Sequence, residues 1–158
     1  MLLFKRFLAK IFAFVVVNKI KRSYYNAPEI QRKILKKLIE KAKNTSFGIE
    51  HNFNEIKYHE DFIKRVPVRD YEQTKKYIDR IKNGERDVLW PGKPKYFAKT
   101  SGTTSGVKQI PITNESMPQH ILSARNALLF YIYETEKTAF LNGKTIFIQG
   151  SPVLKNIN

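Results

Sequence analysis

The stretch "AKTSGTTSGVKQIPIT", residues 98–113, sets two glycines, six hydroxyl side chains and two lysines into an otherwise helical, lysine-rich chain. Gly102 and Gly106 permit positive φ and close approach to the backbone. Ser101, Thr103, Thr104 and Ser105 add hydroxyl donors, and Lys108 adds a positive charge on a flexible stem. Many small donors beside one cation is what phosphate oxygens require. The spacing is not that of a Walker A loop, which needs four residues between its glycines and a lysine directly after the second, nor that of a dinucleotide-binding G-x-G-x-x-G. As a bare pattern it equally describes a solvated turn.

Around this segment the elements are short. Tyr96 to Ala98 before it reads as a short buried strand, and Gln109 to Ile112 after it as a second extended segment. Asn114 is placed to cap a long helix from about Ser116 to Glu134, and "TIFIQ", 145–149, reads as a third strand. Upstream, Asp70 with Gln73 three residues on forms a capping box for a helix whose stripe is Tyr71, Thr74, Ile78 and Ile81, with Gly84 as its stop. "RVPV" precedes it, where Pro67 holds Val66 extended. A helical turn is expected from Glu60 to Lys64, with Glu60 and Asp61 as first-turn charges rather than an acid/base pair.

Earlier still, Asn26, Pro28 and Glu29 open a helix in capping-box register, and Ile30, Ile34, Leu35, Leu38 and Ile39 recur on one face. That face is expected to pack, and "NTSFG" from Asn44 to end the helix. The first segment, "MLLFKRFLAKIFAFVVVNKIKR", carries Lys5, Arg6 and Lys10 ahead of an apolar run from Ile11 to Val17 that is too short to span a bilayer. A helix docked on the rest of the domain is the favoured reading; contact of residues 1–22 with a membrane surface is the alternative. The sequence marks no internal boundary, so 1–158 is taken as one portion of one domain: mainly helices, a few short strands and an incomplete sheet of α/β type.

Composition narrows the chemistry. With 29 Lys and Arg against 14 Asp and Glu, the formal net charge is +15, which favours polyanionic partners: a nucleotide phosphate, an anionic membrane or nucleic acid. Aromatic content of 13% and hydrophobic content of 42% are too high for a disordered segment. The absence of cysteine excludes disulfides, thiol catalysis and cysteine-bound metal. His51, His59 and His120 have no i, i+4 partner or acidic cluster, so no metal site is expected of them. The basic positions do not alternate with aromatics and no recognition motif is present, which argues against specific nucleic-acid binding.

"TSGTTSGVK" resembles the phosphate-binding loop of the adenylate-forming superfamily, with the second glycine moved one place to Gly106 and Val107 where proline is usual. With Ile110 and Pro111 following, it looks like the loop of the Gretchen-Hagen (auxin-responsive) family of acyl-acid amido synthetases. "FGIEHNF" at 47–53, "DFIKRVPVRDYE" at 61–72, "IKNGERDVLWPGKPKYFAKTSGTTSG" at 81–106 and "FIQGSP" at 147–152 extend the resemblance over roughly 24–155. It implies an N-terminal fragment of the large adenylating domain, without the C-terminal domain. It also implies an ATP-dependent, magnesium-requiring cytoplasmic ligase that adenylates a small carboxylic acid and passes the acyl group to an amino acid or other amine. By motif position Ser101, Gly102, Thr103, Thr104, Ser105, Gly106 and Lys108 would contact the ATP phosphates. Arg125, near the middle of an apolar arc of Ile121, Leu122, Ala124, Leu128, Leu129 and Ile132, would hold the acid; an internal salt bridge or solvated stem is the competing role for it. The chain alone is expected to be inactive as a ligase. The alternative function is a basic module that binds nucleic acid or anionic membranes.

Overall fold

In the computed structural model, residues 2–100 and 107–143 are described. They form six α-helices and one two-stranded antiparallel sheet, and they fall into two compact units. One unit draws on 2–27 and 115–143, the other on 28–100 and 107–114.

The first unit is a helix pair, α1 (Leu2–Tyr24) on α6 (Met117–Thr135), continued by a short 3-10 turn at Ala139–Asn142. Ala13 and Val17 are fully buried against Leu129 and Ile132, with Ala9, Val16, Phe130, Tyr133 and Phe140 around them. The small side chains of Ala9 and Ala13 let α6 come close, so the apolar run reads as a docked helix. Two ion pairs add to the contact: Lys10 with Glu136 at 3.0 Å and Lys21 with Glu134 at 2.9 Å. The expected cap of α6 is corrected: the helix starts at Met117 behind Ser116, with Pro118 in its first turn, so Asn114 lies too far upstream to cap it. Proline lacks the donor that a cap would satisfy, which moves the start to where its fixed φ is useful.

The second unit begins with α2 (Ala27–Ala42), which Asn26 directly precedes. Its stripe is only partly covered: Ile39 and Ala42 are buried and Leu35 is half-buried, whereas Ile30, Ile34 and Leu38 stay exposed among the described residues. The "NTSFG" segment does more than end this helix. Thr45 Oγ1 donates to the Ala42 carbonyl at 2.7 Å and accepts from the Gly48 N–H at 3.0 Å, so it closes α2 and caps a new helix, α3 (Ser46–Glu50). The corner is tight enough that a Cβ on Gly48 would lie 2.2 Å from the Ala42 carbonyl oxygen. A 3-10 turn at Phe53–Glu55 follows, then α4 (His59–Arg65), whose first turn is held by the Asp61 carboxylate accepting from the Lys57 and Tyr58 N–H groups, 3.0 Å each. Val66 is extended before Pro67, as the sequence predicts.

Helix α5 (Tyr71–Lys82) matches its predicted signals closely. Asp70 accepts from the Gln73 N–H at 2.8 Å, Gln73 returns an acceptor to the Asp70 N–H at 3.0 Å, and Gly84, at φ +93°, ends the helix. Its buried face is Tyr77, Ile78 and Ile81. Tyr77 and Ile81 pack with Val88, while Ile39, Ala42 and Phe53 form a second group; Phe47 touches both. Strand β1 (Tyr96–Thr100) pairs antiparallel with β2 (Lys108–Ile112) in the register Tyr96↔Ile112 to Thr100↔Lys108. The first strand is not buried as expected: Tyr96, Phe97 and Thr100 are half-covered and Ala98 and Lys99 exposed. A two-stranded sheet has too few neighbours to cover both faces. The third predicted strand, 145–149, lies outside the described residues.

Around Phe47 a polar cluster braces α3 on α5. His51 stacks on Phe47 with ring centroids 4.2 Å apart, and the Arg69 guanidinium lies 5.6 Å from the Phe47 centroid and 6.0 Å from that of Tyr77. Arg69 only donates, so its 2.9 Å contact to His51 Nε2 requires an acceptor there; the imidazole proton sits on Nδ1 and is donated to the Phe47 carbonyl at 2.8 Å. The Tyr77 hydroxyl donates to Glu50 at 2.7 Å, and that bond, with Lys76 beside it, holds the Glu50 carboxyl below its ordinary value of 4.5.

Two outcomes follow from these contacts. Gly48→Ala, which helix propensity alone would favour, should instead destabilise the chain by about 1–3 kcal/mol in urea unfolding, because the new methyl meets backbone. A depressed carboxyl contributes stability above its unfolded value and loses it as pH falls through the folded one. Unfolding midpoints of the native chain should therefore drop more steeply below about pH 4.5 than those of Tyr77→Phe, in which Glu50 loses its main hydrogen bond.

Candidate functional site

The described flank of the Gly/Ser/Thr segment is the open end of the β1–β2 hairpin. Thr100 and Lys108 are Cα partners in the register, so the chain enters and leaves residues 101–107 at adjacent points. Ser101, Gly102, Thr103, Thr104, Ser105 and Gly106 themselves lie outside the described residues. Of the predicted phosphate contacts, Lys108 is described.

Lys108 is fixed by a residue the sequence reading placed merely on an apolar stripe. Tyr71, the first residue of α5, takes the Gln109 N–H on its hydroxyl at 2.8 Å and lies 3.5 Å from the Gln109 carbonyl. The Lys108 ammonium stands 5.7 Å from the Tyr71 ring centroid. Among the described residues it meets this aromatic face and no carboxylate, so its charge stays available to an anion. In an antiparallel strand alternate residues turn their N–H groups away from the partner. Gln109 faces outward to Tyr71, and Pro111, two residues on, shares that side and has no N–H to leave unpaired. On that edge the Gln109 N–H is thus met by Tyr71, and Pro111 presents no N–H. Phe97 of β1 packs against the cluster that Tyr77 and Ile81 of α5 form with Val88, so both strands rest on the core that α5 carries. No local pattern links residues 71 and 109, and sequence reading finds their contact only after the fold is known.

Arg125 sits in the first unit, on α6, and its surroundings differ from the apolar arc the sequence draws. The core of that unit is one turn further along, at Leu129 and Ile132; Ile121 and Leu128 are exposed. The Arg125 guanidinium donates to Asn126 Oδ1 at 2.9 and 3.3 Å and lies 5.7 Å from the Phe12 centroid. It is exposed and, among the described residues, makes no ion pair. An exposed fork held by one amide and one ring retains donors for a carboxylate.

Other candidates contribute less. A cleft of about 880 Å³ is lined by Leu35, Ile39, Phe53 and Ile56 with Lys36 and Lys57 at its rim; neither Lys108 nor Arg125 lines it. It follows from the half-covered stripe of α2. No group of three His, Asp or Glu residues able to hold a metal ion is present among the described residues.

The chain was compared with known proteins. The profile of the GH3 family N-terminal domain matches residues 16–150. The indole-3-acetic acid-amido synthetase GH3.15 of Arabidopsis thaliana is 31% identical over 150 residues, covering 84% of this chain and 25% of the relative. The jasmonoyl–L-amino acid synthetase JAR4 of Nicotiana attenuata is 26% identical over 133 residues, covering 82% of this chain and 22% of the relative. A solved structure, the AtGH3.15 acyl acid amido synthetase in complex with 2,4-DB, superposes with a TM-score of 0.62 at 30% identity over 68% of this chain and 19% of that one. The chain spans about a quarter of the length of these curated relatives.

Tyr71→Phe removes one hydroxyl and leaves the Gln109 N–H without its partner. The expected cost is about 1–2 kcal/mol of stability, accompanied by faster hydrogen exchange at the Gln109 amide than at the α5 amides. Equal exchange at Gln109 in the two proteins would show that the clamp is not made.

Proposed function

The chain belongs to the GH3 family, whose N-terminal domain it matches over most of its length, and from that membership we propose that it is the adenylating N-terminal part of an ATP-dependent acyl-acid amido synthetase. In that reaction a carboxylate oxygen attacks the α-phosphorus of ATP, releasing pyrophosphate, and an amine then attacks the acyl carbon, releasing AMP. The substrates in this reading are a small carboxylic acid and an amino acid or other amine, in the cytoplasm where ATP is supplied, with magnesium accompanying the nucleotide. The relatives whose names pair indole-3-acetic acid or a jasmonoyl group with amide formation support the substrate class.

The observation that carries the reading is the hairpin mouth: Thr100 beside Lys108, with the lysine's charge unspent and its strand clamped by Tyr71. In this reading Ser101, Gly102, Thr103, Thr104, Ser105 and Gly106 supply hydroxyl and backbone donors to phosphate oxygens, and Lys108 offsets the charge. The contribution is electrostatic positioning: donors already held in place stabilise charge without reorganising when it develops. Arg125 would orient the acid through its planar fork.

Titration calorimetry of the 158-residue chain with magnesium-ATP tests this. Lys108→Ala should weaken binding about tenfold, the equivalent of ~1.4 kcal/mol for one charge-assisted contact. Arg125→Ala should leave nucleotide affinity unchanged while weakening that for carboxylic acids. Equal ATP affinity in the Lys108→Ala and native chains would overturn the assignment of the loop.

A further inference from the structure

Helix α1 uses only one side of its surface to pack on α6. At about 100° per residue the docked side is that of Ala9, Ala13 and Val17, with Phe14 stacked on Tyr133 at its border, and the opposite side collects Leu3, Phe4, Phe7, Leu8, Ile11 and Val15 in an arc of roughly 140°. All six are exposed, Leu3 at 79%, Phe4 at 64% and Phe7 at 60%. No charged side chain falls inside that arc between residues 3 and 15. Lys5 and Lys19 flank it on one side and Lys10 on the other. The chain has no carboxylate before Glu29, so the helix carries six cations and no anion.

We propose that this outward face of α1 seats on an anionic bilayer surface, with its aromatic and aliphatic side chains at the headgroup boundary and Lys5 and Lys19 on lipid phosphates. An apolar face bordered by lysines on a cationic helix is the arrangement that lies in the interface plane. No described helix is long and apolar enough to cross a membrane, so the contact is a surface one. Two observations favour lipid over other covers. A second copy packed face to face would bring Lys5 and Lys19 toward their own mates with no carboxylate on either helix to answer them. The match to the GH3 family N-terminal domain starts at residue 16, so the side chains that form the face precede the part of the chain shared with that domain.

Vesicle flotation of the full 158-residue chain decides the matter. The native chain should float with vesicles of phosphatidylcholine containing about one-third phosphatidylglycerol, should not float with phosphatidylcholine alone, and should be partly released by salt. Phe7→Ser with Ile11→Ser should abolish flotation. Lys5→Gln with Lys19→Gln, which leaves the apolar face and the α6 contact intact, should weaken binding about fivefold per lysine. Lys36→Gln with Lys37→Gln removes the same charge from α2 and should leave binding unchanged. The proposal fails if the Phe7/Ile11 variant floats like the native chain, or if the α2 pair costs as much as the α1 pair. It fails equally if the native chain ignores anionic vesicles and light scattering shows a dimer that the Phe7/Ile11 variant dissociates.

Discussion

The larger unit depends on the corner at Thr45–Gly48, because that corner alone puts Phe47 where two groups of core residues can share it. Thr45 is 1% exposed and satisfies both the end of α2 and the start of α3 with one hydroxyl. The turn it enforces leaves Phe47 in edge contact with Phe53 at 5.8 Å and with Tyr77 at 5.2 Å. Without that ring, Ile39, Ala42 and Phe53 on one side and Tyr77, Ile81 and Val88 on the other would be two small clusters. Neither buries enough apolar surface to order the chain around it. The Ser46 and Phe47 N–H groups also donate to the Asp87 and Val88 carbonyls at 2.8 and 2.9 Å, which ties the segment leading to the hairpin onto the same corner.

From that corner the order passes to the candidate site in three steps. Tyr77 is held in the shared core, so α5 is fixed in rotation; Tyr71, at its first turn, is fixed with it; and Tyr71 fixes Gln109 and hence Lys108. A two-stranded hairpin is marginal by itself in water. Here each strand has its own anchor on α5 or the core it carries, Phe97 by packing and Gln109 by hydrogen bonding. The residues between Thr100 and Lys108 thus span two points whose separation is set by the helix rather than by the loop.

What was legible in the sequence was what the chain decides over a few residues. The Asp70–Gln73 box, the Gly84 stop and the extended Val66 are interactions within three or four positions, and each is where the pattern puts it. The two strands that flank the Gly/Ser/Thr segment were legible for the same reason. Partners distant in sequence were not: His51 with Arg69, Tyr77 with Glu50, and Tyr71 with Gln109 join residues whose types would suit many other contacts. Periodicity also overstates burial. It identifies the faces of α2 and α6 correctly as apolar but cannot say how much of each is covered, so Ile34, Leu38, Ile121 and Leu128 are exposed although they lie on the right stripes.

The charge excess acquires a different meaning once positions replace totals. Many carboxylates of the described residues already answer a cation: Glu29 with Arg32 and Lys33, Glu40 with Lys43, Glu55 with Arg65, Glu85 with Arg80, Glu134 with Lys21 and Glu136 with Lys10. Most of these pairs are exposed, contribute little to stability and are weakened by salt. Their larger effect is to neutralise local regions, which concentrates the remaining positive potential where no carboxylate is near. Two such places differ in kind. At Lys108 a single ammonium is held at the end of a clamped strand beside a segment rich in small donors, an arrangement suited to one compact anion. Along α1 Lys5 and Lys19 border an apolar arc on flexible stems, an arrangement suited to anions spread over a surface. Rigid placement selects a geometry, whereas flexible placement selects only charge, so the same residue type suits one compact anion in the first setting and many spread anions in the second.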